Sequence, residues 1–387
     1  MNSLRTLAFI VIGAVLISAA YAFSARDNNH GNSFDDDDGR TVRQTFIGDK
    51  GEFLFRDENR KIKAEWNGEF SLDEAGSSVG DLDDELEITL QENGVKERIE
   101  FEDRRSGIEV TYYRDGEEQD ASEETDAAIA AGFLKFLRAS GMKADERVSI
   151  ILARGGNAAV LEEISVLEGG HALRAYTDAF TVQANLTAAD IISLTEKLSV
   201  IESDHDLSGA LETILENETL SEEAAVALIN AAQSIDNDHE LRQLIEAFAN
   251  RPINEEAMNL VMTLFERIES DHDLRVAAQT LFENDRLNAA QTEKLLDAAA
   301  DNIESDHDLR LVLTESADMI LESEALSQAW FNAYEHISSD HDQRLALEAI
   351  AEKISDNEVL LAAYRKAANE ITSDYDREKA LGYIDED

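Results

Sequence analysis

Residues able to do chemistry recur in one short pattern. It reads IESDHDLS from Ile201, IDNDHELR from Ile235, IESDHDLR from Ile268 and Ile303, ISSDHDQR from Ile337 and ITSDYDRE from Ile371. A histidine between two carboxylates is a donor set for Zn²⁺ or Ca²⁺. The candidate ligand sets are Asp204, His205 and Asp206; Asp271, His272 and Asp273; Asp306, His307 and Asp308; and Asp340, His341 and Asp342. His239 occupies the same place in the Ile235 copy. The same residues also suit a mechanical role. Ser203, Asn237, Ser270, Ser305, Ser339 and Ser373 stand where an N-cap would precede a helix, with an acid at N3. That is a capping box with Asp or Glu closing it, and carboxylates in the first turn favour the positive helix end. Distances favour the caps. Neighbouring helices pack roughly 8–10 Å apart, whereas metal ligands sit at about 2–2.5 Å, so successive rungs do not converge on one ion. Tyr375 in the last copy and Ala172 in a degenerate first one are poor ligands. Loose attraction of Ca²⁺ or Zn²⁺ is compatible with either role. Asp271 with Arg275, Asp306 with Arg310 and Asp340 with Arg344 are spaced for i,i+4 pairs.

Catalytic signatures are missing. His239-Glu240 opens like a zinc-peptidase helix, but Gln243 stands where the second histidine is required. No nucleophile elbow, phosphate loop or dinucleotide fingerprint is present. With no cysteine, thiolate zinc sites, disulfides and cysteine nucleophiles are excluded. Gly155-Gly156 and Gly169-Gly170 read as helix C-caps. Trp330, Phe331 and Tyr334 lie at helical spacing and read first as core. Trp330, Tyr334 and the nearby His336 are the candidate partner contacts.

The elements that must position these residues follow from the spacing. The six isoleucines are 34, 33, 35, 34 and 34 residues apart, and LEGGHALR from Leu167 is a degenerate copy before them. A second capping residue runs in phase: Thr187, Ser221, Asn254, Asn288, Ser323 and Asn357, each 14 residues before an isoleucine. Seven residues after each cap comes a large apolar side chain: Leu194, Leu228, Val261, Leu295, Trp330 and Tyr364. Two helices per unit, stacked unit on unit, make an αα-hairpin solenoid.

Upstream the period changes. EFLF, KIKAEW, ELEITL, RIEFED and IEVTYY, between Glu52 and Tyr113, alternate polar and apolar residues and are separated by turn residues such as Asn93-Gly94 and Asp115-Gly116. This predicts an antiparallel β domain of five to seven strands over 41–120. Helical periodicity over 122–166 predicts an N-terminal capping region for the solenoid, which would occupy 167–387. Residues 23–40 are polar and acidic and read as a flexible linker. Arg5, the apolar run from Leu7 to Ala20 and Ala20-Tyr21-Ala22 read as a signal peptide over 1–22. An uncleaved anchor is the alternative. Either way the remainder is expected outside the cytoplasm, periplasmic or secreted.

The I-x-S-D-x-D-x-R signature resembles tandem helical repeats of exported bacterial proteins in which such repeats follow a small β region. Some of those proteins carry a neighbouring membrane peptidase domain. The resemblance implies a β region plus a HEAT- or TPR-like repeat and a sensory or scaffolding setting. It brings no catalytic residue.

The 387 residues carry 83 acidic and 34 basic side chains, a net charge of −49. Such a charge repels nucleic acid and anionic lipid and steers basic partners. The expected fold is α+β and multidomain: a small antiparallel β domain, then an αα-hairpin solenoid. The expected function is an exported, non-catalytic scaffold without cofactor, binding a protein or peptide. The alternative is a divalent-cation binder or sensor built on the repeated S-D-H-D residues.

Overall fold

Alternating polar and apolar residues from Lys50 to Arg114 leave a sheet with one greasy face, and that face needs a cover. The computed structural model describes residues 30–35, 41–284 and 286–385. The expected signal peptide lies outside them, as does the expected linker apart from 30–35. The chain divides into two units, Met1–Ala184 and Asn185–Asp387.

In the first unit β1 (His30–Asp35), β2 (Thr41–Ile47), β3 (Lys50–Arg56), β4 (Arg60–Asn67), β7 (Glu85–Glu92), β8 (Val95–Arg104), β9 (Gly107–Arg114) and β10 (Glu117–Glu118) form one antiparallel sheet in that order. β5 (Phe70–Leu72) and β6 (Val79–Leu82) pair separately. The five to seven strands expected are therefore ten among the described residues. One of the additions, β1, falls in the stretch expected to be linker. Asn93-Gly94 and Asp115-Gly116 take positive φ at both residues, as two-residue hairpin turns require.

Phe53, Phe55, Ile62, Ala64, Leu86, Ile88, Leu90, Ile99 and Phe101 point to the buried face. Their cover is α1 (Glu123–Ser140), whose Phe133, Phe136 and Leu137 are fully buried. Phe136 meets Phe53 edge-on at 5.9 Å and Phe133 meets Phe101 at 5.7 Å. Helix and sheet approach closest at Gly132, where a Cβ would stand 2.7 Å from Ile99. So α1 completes the core of the β unit, where the sequence suggested a cap for the repeats. α2 (Ala144–Ile164), broken at Gly156, and α3 (Gly170–Gln183) finish the unit. Gly169 is the N-cap of α3, so that pair does not end a helix. Glu163 is gripped by Arg138 at 2.9 and 2.8 Å and by Arg147 at 3.1 and 2.9 Å. Burial works against ionised Glu163, but the two guanidiniums outweigh it and hold its pKa below the usual value.

The other face of the sheet is polar, and register sorts its charges into rows. Glu52, Glu65, Glu87 and Glu100 stand opposite one another on four adjacent strands. One row outward run Lys50, Asn67, Glu85, Glu102 and Glu109. On the other side come Arg43, Leu54, Lys63, Thr89, Arg98 and Tyr113, then Arg56, Lys61, Gln91 and Lys96.

In the second unit the helices alternate. First helices are α4 (Ala188–Leu198), α6 (Glu222–Ala232), α8 (Glu255–Phe265), α10 (Ala289–Asn302), α12 (Glu324–Tyr334) and α14 (Glu358–Glu370). Second helices are α5 (Asp204–Asn217), α7 (Asp238–Ala249), α9 (Asp271–Glu283), α11 (Asp306–Glu315), α13 (Asp340–Ala351) and α15 (Asp374–Asp385). Each second helix packs on the next second helix throughout; among first helices α4 packs on α6, α6 on α8 and α10 on α12. The result is a repeat-like helical array. Its core includes every repeat isoleucine and the large apolar residue of every first helix. All six expected first-helix caps accept a backbone N–H in the first turn. No helix among the described residues is long and apolar enough to cross a membrane.

Candidate functional site: the S-D-H-D edge of the helical repeats

A helix start leaves four backbone N–H groups without an intrahelical acceptor. At every second helix the N3 N–H goes to the helix's own cap. Ser203, Asn237, Ser270, Ser305, Ser339 and Ser373 accept from Asp206, Glu240, Asp273, Asp308, Asp342 and Asp376 respectively, at 3.2–3.3 Å. The expected box does not close within the repeat. In a closed box the N3 carboxylate returns to the N-cap N–H. Here, in the five repeats from Asn237 onward, that N–H belongs to the preceding repeat.

The first acid of the motif is the acceptor. Asp204 takes the N–H groups of Asp236 and Asn237 at 3.1 and 2.8 Å. Asp238 takes those of Glu269 and Ser270 at 3.1 and 2.8 Å. Asp271 takes Glu304 and Ser305 at 3.0 and 2.9 Å. Asp306 takes Ser338 and Ser339, both at 2.9 Å. Asp340 takes Thr372 and Ser373 at 2.9 and 3.0 Å, and the Thr372 hydroxyl at 2.6 Å. One carboxylate thus satisfies the N-cap N–H of the next helix and the N–H before it.

The second acid faces the other way, toward the preceding repeat. Arg242 donates to Asp273 at 2.7 Å, Arg275 to Asp308 at 2.8 Å, Arg310 to Asp342 at 3.0 Å and Arg344 to Asp376 at 2.9 Å. The i,i+4 pairs expected from sequence are not the ones made. Arg275, Arg310 and Arg344 cross to the following repeat instead of folding back on Asp271, Asp306 and Asp340. Each of those aspartates is already filled by two backbone N–H groups.

The histidines serve the arginines. His239, His272, His307 and His341 lie 2.8, 2.9, 3.0 and 3.2 Å through Nδ1 from the Nη2 of the arginine three residues on. A guanidinium only donates, so Nδ1 accepts and the ring proton sits on Nε2. The first rung departs from the pattern in a compensated way. Ser208 stands where the next four rungs have arginine, and the acid it would have met is Glu240. That longer side chain reaches back to within 3.2 Å of His205 Nδ1. The last rung ends with Arg377 paired to its own Asp374.

Ionisation follows these contacts. At Asp308 burial opposes the charge, and the Ser305 hydroxyl and Arg275 more than offset it. The Thr372 hydroxyl does most to hold Asp340 low, and the Ser373 hydroxyl, followed by Arg344, does so for Asp376.

The candidate metal sets are therefore spread over the contacts between repeats. Asp273, Asp308 and Asp342 accept from the arginine of the preceding repeat, and Asp204, Asp271, Asp306 and Asp340 are filled by backbone donors. Among the described residues no three His, Cys, Asp or Glu side chains converge to hold a metal ion. The candidate partner contacts also need correction. Trp330 and Tyr334 are buried at 1% and 3% exposure, and Trp330 Nε1 donates to the Leu313 carbonyl at 2.9 Å. Of the three only His336 is exposed. Aromatic residues at i and i+4 on an apolar stripe are core, as their spacing first suggested.

Two features escaped the sequence reading. The motif edge holds an open concavity of about 1130 Å³, lined by Asp236, His239, Glu266, Glu269, Asp301 and Glu304 among others. The second is the sorted charge on the open face of the sheet; pairing register, which shows it, was not predicted from sequence. Compared with family models, with curated proteins and with solved structures, the chain matches none.

Proposed function

We propose that the chain is an exported repeat scaffold. Its helical array acts as an αα-hairpin solenoid of the HEAT or TPR kind, and it carries no reaction of its own. The observation that supports this reading most is the use made of the one chemically rich motif. Cap, acids, histidine and arginine are engaged in starting helices and holding each repeat to the next. Exposed beside the histidines on that edge are acids: Glu202, Glu269 and Glu304 stand just before their caps, and the last two line the concavity. Such an edge suits a cationic protein or peptide, recognised across several repeats and weakened by salt. The apolar run before Ala22 supports export to the periplasm or beyond.

The test is titration of the purified chain with a lysine-rich peptide of defined length at about 50 and 300 mM salt, a range over which exposed pairs are progressively screened. A triple variant, Glu202→Gln, Glu269→Gln and Glu304→Gln, is run beside it. Saturable binding that the variant weakens at both salt concentrations is the expected result. Equal binding by parent and variant, or by any polyanion of similar charge, refutes the reading.

A further inference from the structure

The open face of the sheet in the first unit is divided by charge. Two adjacent rows carry Glu52, Glu65, Glu87 and Glu100, then Lys50, Glu85, Glu102 and Glu109, the last two paired with Arg104. The next two carry Arg43, Lys63 and Arg98, then Arg56, Lys61 and Lys96. Like charges directly opposite on neighbouring strands destabilise a sheet, so the glutamate row does not serve the isolated unit. Two cations relieve it in part. Lys63 reaches Glu65 at 2.9 Å and Glu52 at 3.6 Å; Arg98 reaches Glu100 at 3.0 Å and Glu87 at 3.9 Å. Arg43, Arg56, Lys61 and Lys96 are exposed and have no ion pair among the described residues. In a chain of net charge −49, unpaired cations gathered on one half of a face are out of keeping with the rest of the surface.

We infer that this face is the docking surface for a second copy of the chain. A two-fold axis running across the strands, between the glutamate row and the Lys63–Arg98 row, lays the acidic half of each copy on the basic half of the other. An interface of that symmetry must be self-complementary, and a face with one mainly acidic and one mainly basic half is. The shapes agree with the charges. The acidic half is hollow, a concavity of about 570 Å³ lined by Lys50, Glu52, Glu65, Glu85, Glu87 and Glu102 among others. Long lysine and arginine side chains of the other half have the reach to fill it. Leu54, and Tyr113 with Arg98 stacked 4.1 Å over its ring, lie on the row beside the axis. From strand spacing and rise, six strands by four rows give a face of roughly 600 Å². That is somewhat below the ~800 Å² per partner of a standard interface, so the dimer is a weak one.

Sedimentation equilibrium of the full chain at physiological salt, over a wide concentration range, is the test. One variant reverses the outer basic row: Arg56→Glu, Lys61→Glu and Lys96→Glu. The other reverses three charges of the acidic half: Glu65→Lys, Glu85→Lys and Glu102→Lys. These side chains point to solvent, and circular dichroism checks that both variants stay folded. The parent is expected to self-associate, each variant to lose at least about tenfold in self-affinity, and an equimolar mixture to recover it as a heterodimer. A parent that stays monomeric up to millimolar concentration overturns the inference. So does undiminished self-association of either variant. Loss in the Arg56, Lys61 and Lys96 variant alone, without recovery on mixing, means that the basic half meets some other acidic surface, and also overturns it.

Discussion

The two units solve the same problem, holding helices in place with charged side chains, in opposite ways. In the first, one carboxylate does it once: Glu163, 8% exposed, is locked between Arg138 of α1 and Arg147 of α2. In the second, a half-buried carboxylate does it five times, from Asp204 to Asp340, each time capping the next repeat's second helix. A buried triad is costly to desolvate and costly to break. A shallow clasp costs little at each rung and is lost locally. The first unit concentrates the charged contact between α1 and α2 on one buried residue, and the second spreads its charged contacts along the array.

Acid tests that contrast most strongly. Asp308, Asp340 and Asp376 are held below their ordinary value of 3.8. A carboxylate held down contributes stability above its unfolded pKa and loses it as pH falls through its folded pKa. The helical array should hold its stability down to about pH 4 and be progressively destabilised below it, followed by denaturant unfolding read by helical circular dichroism. Melting already between pH 5 and 7 contradicts the assignment of these groups. Next in size is Glu163→Ala, which strands two guanidiniums, one of them buried. A cost of about 3–5 kcal/mol is expected, with faster amide exchange in α1 and α2 and none in α9 to α13. Asp271→Ala should cost about 2 kcal/mol and expose the amides of Glu304 and Ser305, one repeat downstream, while its own cap at Ser270 stays protected. Smallest is His272→Ala. It removes one exposed neutral acceptor, and a loss of about 0.5 kcal/mol in denaturant unfolding is expected. A loss as large as that of Asp271→Ala would make the histidines more than supports for arginine.

The same contrast governs what could be read in advance. Periodicity carries the second unit, because each cap and each buried isoleucine recurs near 34 residues and errors at one copy are corrected by the others. In the first unit nothing repeats. Alternation located β3, β4, β7, β8 and β9, but β1 carries polar residues such as Asn32 and Ser33 and reads as linker. The covering role of α1 was hidden because its amphipathic pattern is the same whether it faces a sheet or another helix. The clasp was half legible. Caps follow from residue type and spacing, whereas the partner of a carboxylate depends on which repeat lies beside it. Asp271 and Arg275 share a helix face by sequence, and only packing shows that Arg275 belongs to Asp308.

That last point gives the most direct measurement. A double-mutant cycle on Arg275 and Asp308, compared with one on Arg275 and Asp271, weighs the contact between repeats against the one within a repeat. The account predicts a coupling of about 1–2 kcal/mol for Arg275 with Asp308 and close to zero for Arg275 with Asp271. Coupling confined to the Asp271 pair would contradict it, and the motif would return to being punctuation within single helices.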